Sequence, residues 1–147
     1  MTVGGEQGGA GVTHWLPKVW NSGNSLIGLV GGLGGSARFR RDEAVWEVAG
    51  GWLIGLLDRA GWAAAITLGD VILYADARLI PLLHTHEMAH VRQGRAWGPL
   101  FLPAYGLESV YQRLRTGRGY WDNRFEVAAR AAGQENETCP ANKSRGG

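Results

Sequence analysis

Cysteine is almost missing from this 147-residue chain, which has a single one, Cys139, in a polar tail. One cysteine excludes an intrachain disulfide framework. We interpret Cys139 as a free thiol, with ligation of a metal by its thiolate as the less favoured alternative. The chain also lacks an uninterrupted apolar run of the ~20 residues that a membrane-spanning helix needs. The nearest candidate, residues 45–66, is interrupted by Glu47, Asp58 and Arg59.

A strong excess of either charge is absent too, since the formal net charge is only +2. No basic stripe with interleaved aromatic residues occurs, so we expect no nucleic-acid partner. The first residues lack a charged segment that leads into an apolar core, which argues against a secretory signal. We therefore expect a cytoplasmic protein without a transmembrane span. Peripheral membrane contact stays open, because the chain has seven tryptophans and this residue is enriched at membrane interfaces.

Glycine, in contrast, is abundant, with 24 residues. Glycine loses much conformational freedom in regular elements. We therefore expect residues 1–37 to be a flexible N-terminal segment with one poorly formed apolar patch, and we interpret His14 there as incidental. The length of the chain suits a single domain, which we place at residues 38–133. A polar tail, residues 134–147, is expected to be disordered.

The most informative stretch is an H-E-x-x-H pattern formed by His86, Glu87 and His90. Residues four apart on an α-helix lie about 40° and one turn apart, so both histidines can ligate one zinc ion. Glu87 lies at the flank of the same face, where its carboxylate can accept a proton from a water that the metal activates. The alternative is a pair of solvent-exposed histidines on a polar helix face.

Two polar neighbours of the pattern are interpreted differently. Gln93 falls on the same helical stripe as His86 and His90, where it can hydrogen-bond a ligand and fix its orientation. A plain surface glutamine explains Gln93 about equally well. His84 projects almost opposite to His86, so a continuous helix excludes it as a ligand and we interpret it as structural.

Local signals predict a mainly helical α+β fold in which a short β-hairpin lies beside the H-E-x-x-H helix. Residues 62–68 and 71–75 form the hairpin around Gly69-Asp70, and residues 44–48 are apolar without a clear period. Asp76 is a candidate cap, and Pro81 implies that the helix begins near Ile80. The other predicted helices are residues 52–60, an amphipathic helix over 100–115 after Gly98-Pro99, and a short helix over 123–132.

A catalytic zinc site commonly has three protein ligands, and no histidine follows His90. Carboxylates after the pattern are Glu108, Asp122 and Glu126. Glu126 heads the short third helix, which would present it on a rigid base. However, Asn123 as N-cap with Glu126 three residues later is also a capping box. Spacing alone leaves both interpretations of Glu126 open.

Three segments carry a resemblance to a known family: residues 86–93 (HEMAHVRQ), 97–105 (WGPLFLPAY) and 122–126 (DNRFE). They resemble a group of small, largely uncharacterised bacterial proteins similar to minimal gluzincins. Gluzincins are zinc metallopeptidases whose H-E-x-x-H helix is completed by a glutamate on a later helix. The resemblance covers about residues 62–133.

The resemblance implies His86, His90 and Glu126 as zinc ligands and Glu87 as the general base or acid. It also implies that the strand before the helix, either residues 64–68 or residues 71–74, lies beside the cleft and can pair with an extended peptide. The sequence departs from the larger gluzincins because it lacks room for their broad upstream sheet. It also has Arg130 where an acidic residue often supports a histidine.

These observations predict a zinc-dependent metallopeptidase that acts on a peptide or protein substrate. Hydrolysis of a peptide passes through an oxyanion whose charge a tyrosine, histidine or arginine must offset. Tyr120 and Tyr105 are the candidates for this role, although each can also be a packing tyrosine. The alternative is a non-catalytic zinc-binding domain for a protein partner or a membrane surface.

Overall fold

The computed structural model of the chain describes residues 21–138, with side chains as far as residue 134. The predictions for His14 and Cys139 lie outside the described residues. In chain order the elements are α1 (Ser22–Gly31), β1 (Ser36–Arg40), β2 (Val45–Ala49), α2 (Trp52–Arg59), β3 (Ala65–Leu68), β4 (Val71–Tyr74), α3 (Ile80–Trp97), α4 (Phe101–Thr116) and α5 (Arg124–Thr138). The fold is α+β and mainly helical, as the sequence predicts.

The four strands form one sheet in the order β1-β2-β4-β3. The predicted hairpin is the β3–β4 pair, and its turn contains Gly69 at a φ of 68°, which favours glycine. Strand β2 joins the sheet parallel to β4, and α2 and β3 lie in the connection between these two strands. The hairpin is therefore half of a larger sheet that the local signals did not predict.

Strand β4 lies at the centre of the core and is buried on both faces. Its side chains alternate, as a pleated strand requires. Ile72 and Tyr74 pack with Met88 of α3 on one face, whereas Val71 packs with Ile54 of α2 on the other. The sheet is therefore sandwiched between α3 and the α1–α2 pair, and α3 lies directly across β3 and β4.

The expectation that residues 1–37 form a flexible segment is wrong for α1, which packs on the β3–β4 hairpin. A Cβ added at Gly28 would lie 2.7 Å from the Cβ of Val71 and 3.0 Å from the Leu68 carbonyl oxygen. The Asp70 backbone N–H also donates to the Ser25 hydroxyl at 2.9 Å. Glycine thus allows the helix to approach the sheet closely at Gly28.

We expect Gly28→Ala to lower the free energy of unfolding by about 1–3 kcal/mol, because the added methyl group overpacks the contact with the sheet. Gly23→Ala is the matched control in the same helix, since nothing lies within 4 Å of a Cβ added there. Its stability should be unchanged or slightly raised, because alanine favours helix. Denaturant unfolding of both variants measures this difference. Equal losses of stability would contradict the close packing of α1.

The remaining helices follow the predictions except at one end. Helix α5 continues through Gly133 to Thr138, so the predicted end at residue 132 and the disorder predicted from residue 134 to 138 are wrong. One glycine inside a helix costs only about 1 kcal/mol, which does not stop it. Over residues 21–138, no helix combines the length and apolar character that crossing a membrane requires.

Candidate metal centre

Helix α3 carries both histidines, and local signals define where this helix begins and ends. Asp76 accepts a hydrogen bond at 2.8 Å from a backbone N–H of the short 3₁₀ turn before the helix. Pro81 occupies the first turn, where a missing N–H costs nothing. Gly98, at a φ of 57°, ends the helix. His86 and His90 therefore lie in the middle of a regular helix, one turn apart.

Three side chains from α3 and α5 converge. The Nε2 atoms of His86 and His90 are 3.2 Å apart. The Glu126 carboxylate reaches both of them, with Oε2 at 3.3 Å from His86 and Oε1 at 3.2 Å from His90. Ligands at the usual zinc distances in a tetrahedral site lie about 3.3–3.4 Å from one another. With one ligand atom taken from each side chain, all three atoms lie within 4.8 Å of one another, so the group could hold one metal ion.

Asn123 explains why Glu126 faces the histidines. Its Oδ1 accepts a hydrogen bond from the Phe125 N–H at 2.9 Å, which caps α5. Its Nδ2 donates to the Tyr105 carbonyl at 3.1 Å and to the Ser109 hydroxyl at 2.7 Å. These bonds fix the start of α5 on α4. Asn123 caps the helix without the Glu126 side chain, so the glutamate is turned towards the histidines instead.

Gln93 fixes the orientation of His90. Its Nε2 donates to the Phe125 carbonyl at 3.0 Å, so its Oε1 is the atom that lies 2.8 Å from His90 Nδ1. Because Oε1 can only accept, Nδ1 carries a proton, which leaves Nε2 as the His90 atom that faces Glu126 and could bind a metal. Histidines that ligate metals commonly make this kind of second contact.

The Glu126 carboxylate is buried but strongly held as an anion. Burial alone would raise its pKa, but polar contacts with His86, His90 and Tyr105 outweigh burial and hold the pKa well below its usual range. The Tyr105 hydroxyl donates to Oε1 at 2.6 Å. Burial and this bond raise the pKa of Tyr105 above its usual value. The Tyr105 hydroxyl is thus used in a hydrogen bond to Glu126, and the sequence did not indicate this contact.

Glu87 is the second buried carboxylate of the site. Burial raises its pKa above the usual value, against a hydrogen bond from Thr67 that lowers it. The Thr67 hydroxyl on β3 donates to Oε2 at 2.7 Å and thereby orients the carboxylate. Thr67 was missed in the sequence because the contact joins a strand and a helix 20 positions apart.

The three converging side chains and Glu87 line one cavity of about 580 Å³. Residues 62–67, which include the start of β3, line it as well, together with aromatic side chains from α4 and the loop before α5. Tyr120 is one of these and is half-exposed. Burial and the negative charge of Glu126 raise its pKa, so Tyr120 is a neutral phenol at the wall of the cavity.

Arg130 brings a positive charge to the same cavity. Its guanidinium lies over the Trp121 ring, 5.3 Å from the centroid, and its Nη2 donates to the Trp121 carbonyl. Its Nη1 is buried 3.9 Å from Glu126 Oε2 and has no hydrogen-bond partner among the described residues. The sequence marked Arg130 only as a departure from the gluzincin pattern, whereas the structure adds it to the candidate site.

The other candidate residues lie elsewhere. His84 is at 2.8 Å from a carboxylate oxygen of both Glu43 and Glu47, where it ties α3 to the β1–β2 pair. Glu108 and Asp122, the alternative third ligands, form ion pairs with arginines at 3.5 and 3.3 Å. None of these five side chains is among those that line the cavity.

Comparisons with known proteins give no match, whether with protein-family models, curated proteins or solved structures. The likeness to gluzincins therefore rests on the three sequence segments. The assignment of function rests on the geometry of the site.

Proposed function

We propose that this protein is a zinc-dependent metallopeptidase. The observation that carries the proposal is the convergence of His86, His90 and Glu126, with the Glu87 carboxylate lining the same cavity. Two imidazoles, one carboxylate and a general-base glutamate next to the first histidine are the groups that such an enzyme needs. The resemblance to minimal gluzincins supports the same assignment.

Zinc is the proposed metal, because imidazole nitrogen with one carboxylate oxygen is a ligand set that zinc commonly takes in catalytic sites. When bound, zinc supplies Lewis acidity, which polarises a carbonyl and makes water a nucleophile near neutral pH. Gln93 and Tyr105 contribute by orienting His90 and Glu126 through hydrogen bonds of 2.8 and 2.6 Å.

Glu87 is proposed to move the proton. Its carboxylate accepts a proton from the attacking water as the new bond to the carbonyl carbon forms. It then passes that proton to the nitrogen of the leaving amine as the C–N bond breaks. A pKa raised by burial suits a group that both accepts and releases a proton. Thr67 holds the carboxylate in place for both transfers.

Two side chains of the cavity wall are proposed to offset the charge that develops on the carbonyl oxygen. Arg130 has a buried Nη1 without a hydrogen-bond partner among the described residues, and Tyr120 has a neutral phenol. Tyr105 is a weaker candidate than the sequence alone suggested, because its hydroxyl already donates to Glu126.

Strand β3 is proposed to hold the substrate. It is an edge strand, since it pairs with β4 on one side only in the part of the chain that the structure describes. Its residues line the cavity, so an extended peptide can add to this edge through backbone hydrogen bonds. The aromatic walls, which include Phe101 and Trp121, favour an apolar side chain of the substrate.

Removal of the metal tests the proposal. The zinc-loaded protein is expected to cleave a mixture of denatured casein peptides, and 1,10-phenanthroline is expected to reduce cleavage to background. Adding zinc back should restore it, because the metal supplies the Lewis acid. New amino termini, quantified with an amine-reactive fluorophore, measure the reaction. Zinc binding without any cleavage would instead indicate the non-catalytic zinc-binding domain.

A further inference from the structure

Helix α4 has two apolar faces. One faces the core and carries the buried Phe101. The other carries Leu107, Val110, Tyr111 and Leu114, which are 72, 59, 50 and 83% exposed. Their spacing of three and four residues makes a continuous stripe along one side of the helix. We define these four residues as the outer stripe.

The outer stripe is flanked by positive charge. Because successive residues turn by about 100°, Arg113 falls on one flank of the stripe and Arg115 on the other, and both are exposed. The single acidic residue of α4, Glu108, is already engaged by Gln112 at 2.8 Å and by Arg124 at 3.5 Å. The helix therefore presents an apolar stripe between two cations that no carboxylate of α4 neutralises.

The apolar surface continues beside the stripe. A groove of about 620 Å³ between the end of α3, α4 and α5 is lined on its apolar side by Leu107, Tyr111, Trp97 and Phe125. Its polar lining consists of Gln93, Glu108 and Arg124, and the last two form an ion pair at 3.5 Å. Trp97 is half-exposed, and tryptophan and tyrosine are the side chains that favour the boundary between apolar and polar phases. Contiguous exposed apolar surface of this kind marks an interaction site.

We infer that the outer stripe of α4 docks the protein on an anionic membrane surface. Leucine and valine side chains enter the boundary between headgroups and acyl chains, while Arg113 and Arg115 meet lipid phosphates. A second copy that pairs through the same stripe fits this surface less well, because α4 offers only the engaged Glu108 to meet the arginines of its partner. The inference does not depend on zinc or on hydrolysis.

Sedimentation with lipid vesicles tests the inference. The full-length protein is expected to bind vesicles of equal parts phosphatidylcholine and phosphatidylglycerol, and to bind phosphatidylcholine alone much more weakly. The double variant Leu107→Gln with Leu114→Gln should lower the partition constant by about tenfold or more. Arg113→Gln and Arg115→Gln should each lower it about fivefold at low salt and less at high salt.

The matched control is Leu26→Gln with Leu33→Gln, two leucines 63 and 64% exposed elsewhere on the surface. This control should bind vesicles like the wild type. Circular dichroism checks that all variants are folded, as expected for exposed positions. The inference is overturned if the wild type does not bind the anionic vesicles, or if the stripe variants bind as the control does. If the wild type forms a dimer and does not bind vesicles, and the stripe variants are monomers, a second copy of the chain covers the stripe instead.

Discussion

Replacing Glu126 by alanine is expected to lower the affinity for zinc by about a hundred- to a thousandfold. The free energy of zinc binding to structural sites with four protein ligands is about 10–16 kcal/mol, or about 3 kcal/mol for each ligand. Loss of about 3 kcal/mol corresponds to this change in affinity. The substitution also leaves the half-buried Tyr105 hydroxyl without the acceptor it has at 2.6 Å. Competition with a chromophoric chelator measures the affinity, and metal analysis after dialysis measures the zinc content.

Glu108→Ala is the matched control for this experiment. Glu108 is also a glutamate that was a candidate third ligand, but it lies on α4 and pairs with Arg124 at 3.5 Å. The control should bind zinc as tightly as the wild type. Loss of zinc in the Glu108 variant, or wild-type affinity in the Glu126 variant, would contradict the proposed ligand set.

Replacing Glu87 by glutamine is expected to reduce the turnover of peptide substrates by about 10²–10⁴-fold, the usual contribution of a general acid–base group. Zinc affinity should change by only a few fold, because Glu87 is not among the three converging ligands. Glutamine keeps the size of the side chain and can still accept the hydrogen bond from Thr67. The kcat for a cleaved casein peptide and the zinc affinity are measured on the same preparation.

Glu108→Gln controls for the loss of one carboxylate and should leave kcat unchanged. Full turnover in the Glu87 variant would contradict the role of Glu87 in proton transfer without affecting the metal centre. If the wild type and the Glu87 variant bind zinc equally and neither cleaves the peptides, a non-catalytic zinc-binding domain is favoured.

Local signals were enough to predict the elements on which the site is built. The spacing of His86 and His90 predicts that both lie on one face of a helix, and the structure confirms the helix. Pro81 and Gly98 mark the two ends of that helix, and Gly69 marks the turn of the hairpin. Each of these signals depends on neighbours within a few residues, which is the range that sequence patterns describe well.

Elements that depend on distant contacts were not predicted. Helix α1 was missed because its glycines suggested flexibility, whereas Gly28 is needed for close contact with Val71. Strand β2 pairs with β4 across an intervening helix and strand, and no local pattern encodes that register. Its buried Glu47, which contacts His84, also obscured the apolar alternation of the strand.

The same limit applies to the candidate site. Spacing left Glu126 undecided between a capping box and a ligand. The contacts of Asn123 with α4 fix where α5 begins, and this position turns the Glu126 side chain towards the histidines. Thr67 and Arg130 carried no motif, and only the packing of β3 and α5 against α3 brings them to the cavity.

X-ray absorption spectroscopy at the zinc edge tests the central claim most directly, because it reports the atoms that surround the bound metal. The account predicts two imidazole nitrogens at about 2.0–2.1 Å, oxygen ligands at similar distances, and no sulfur. The imidazole signal should fall to one ring in His90→Ala. A zinc–sulfur shell at about 2.3 Å, which would identify Cys139 as a ligand, or a spectrum without paired imidazoles, would contradict the account.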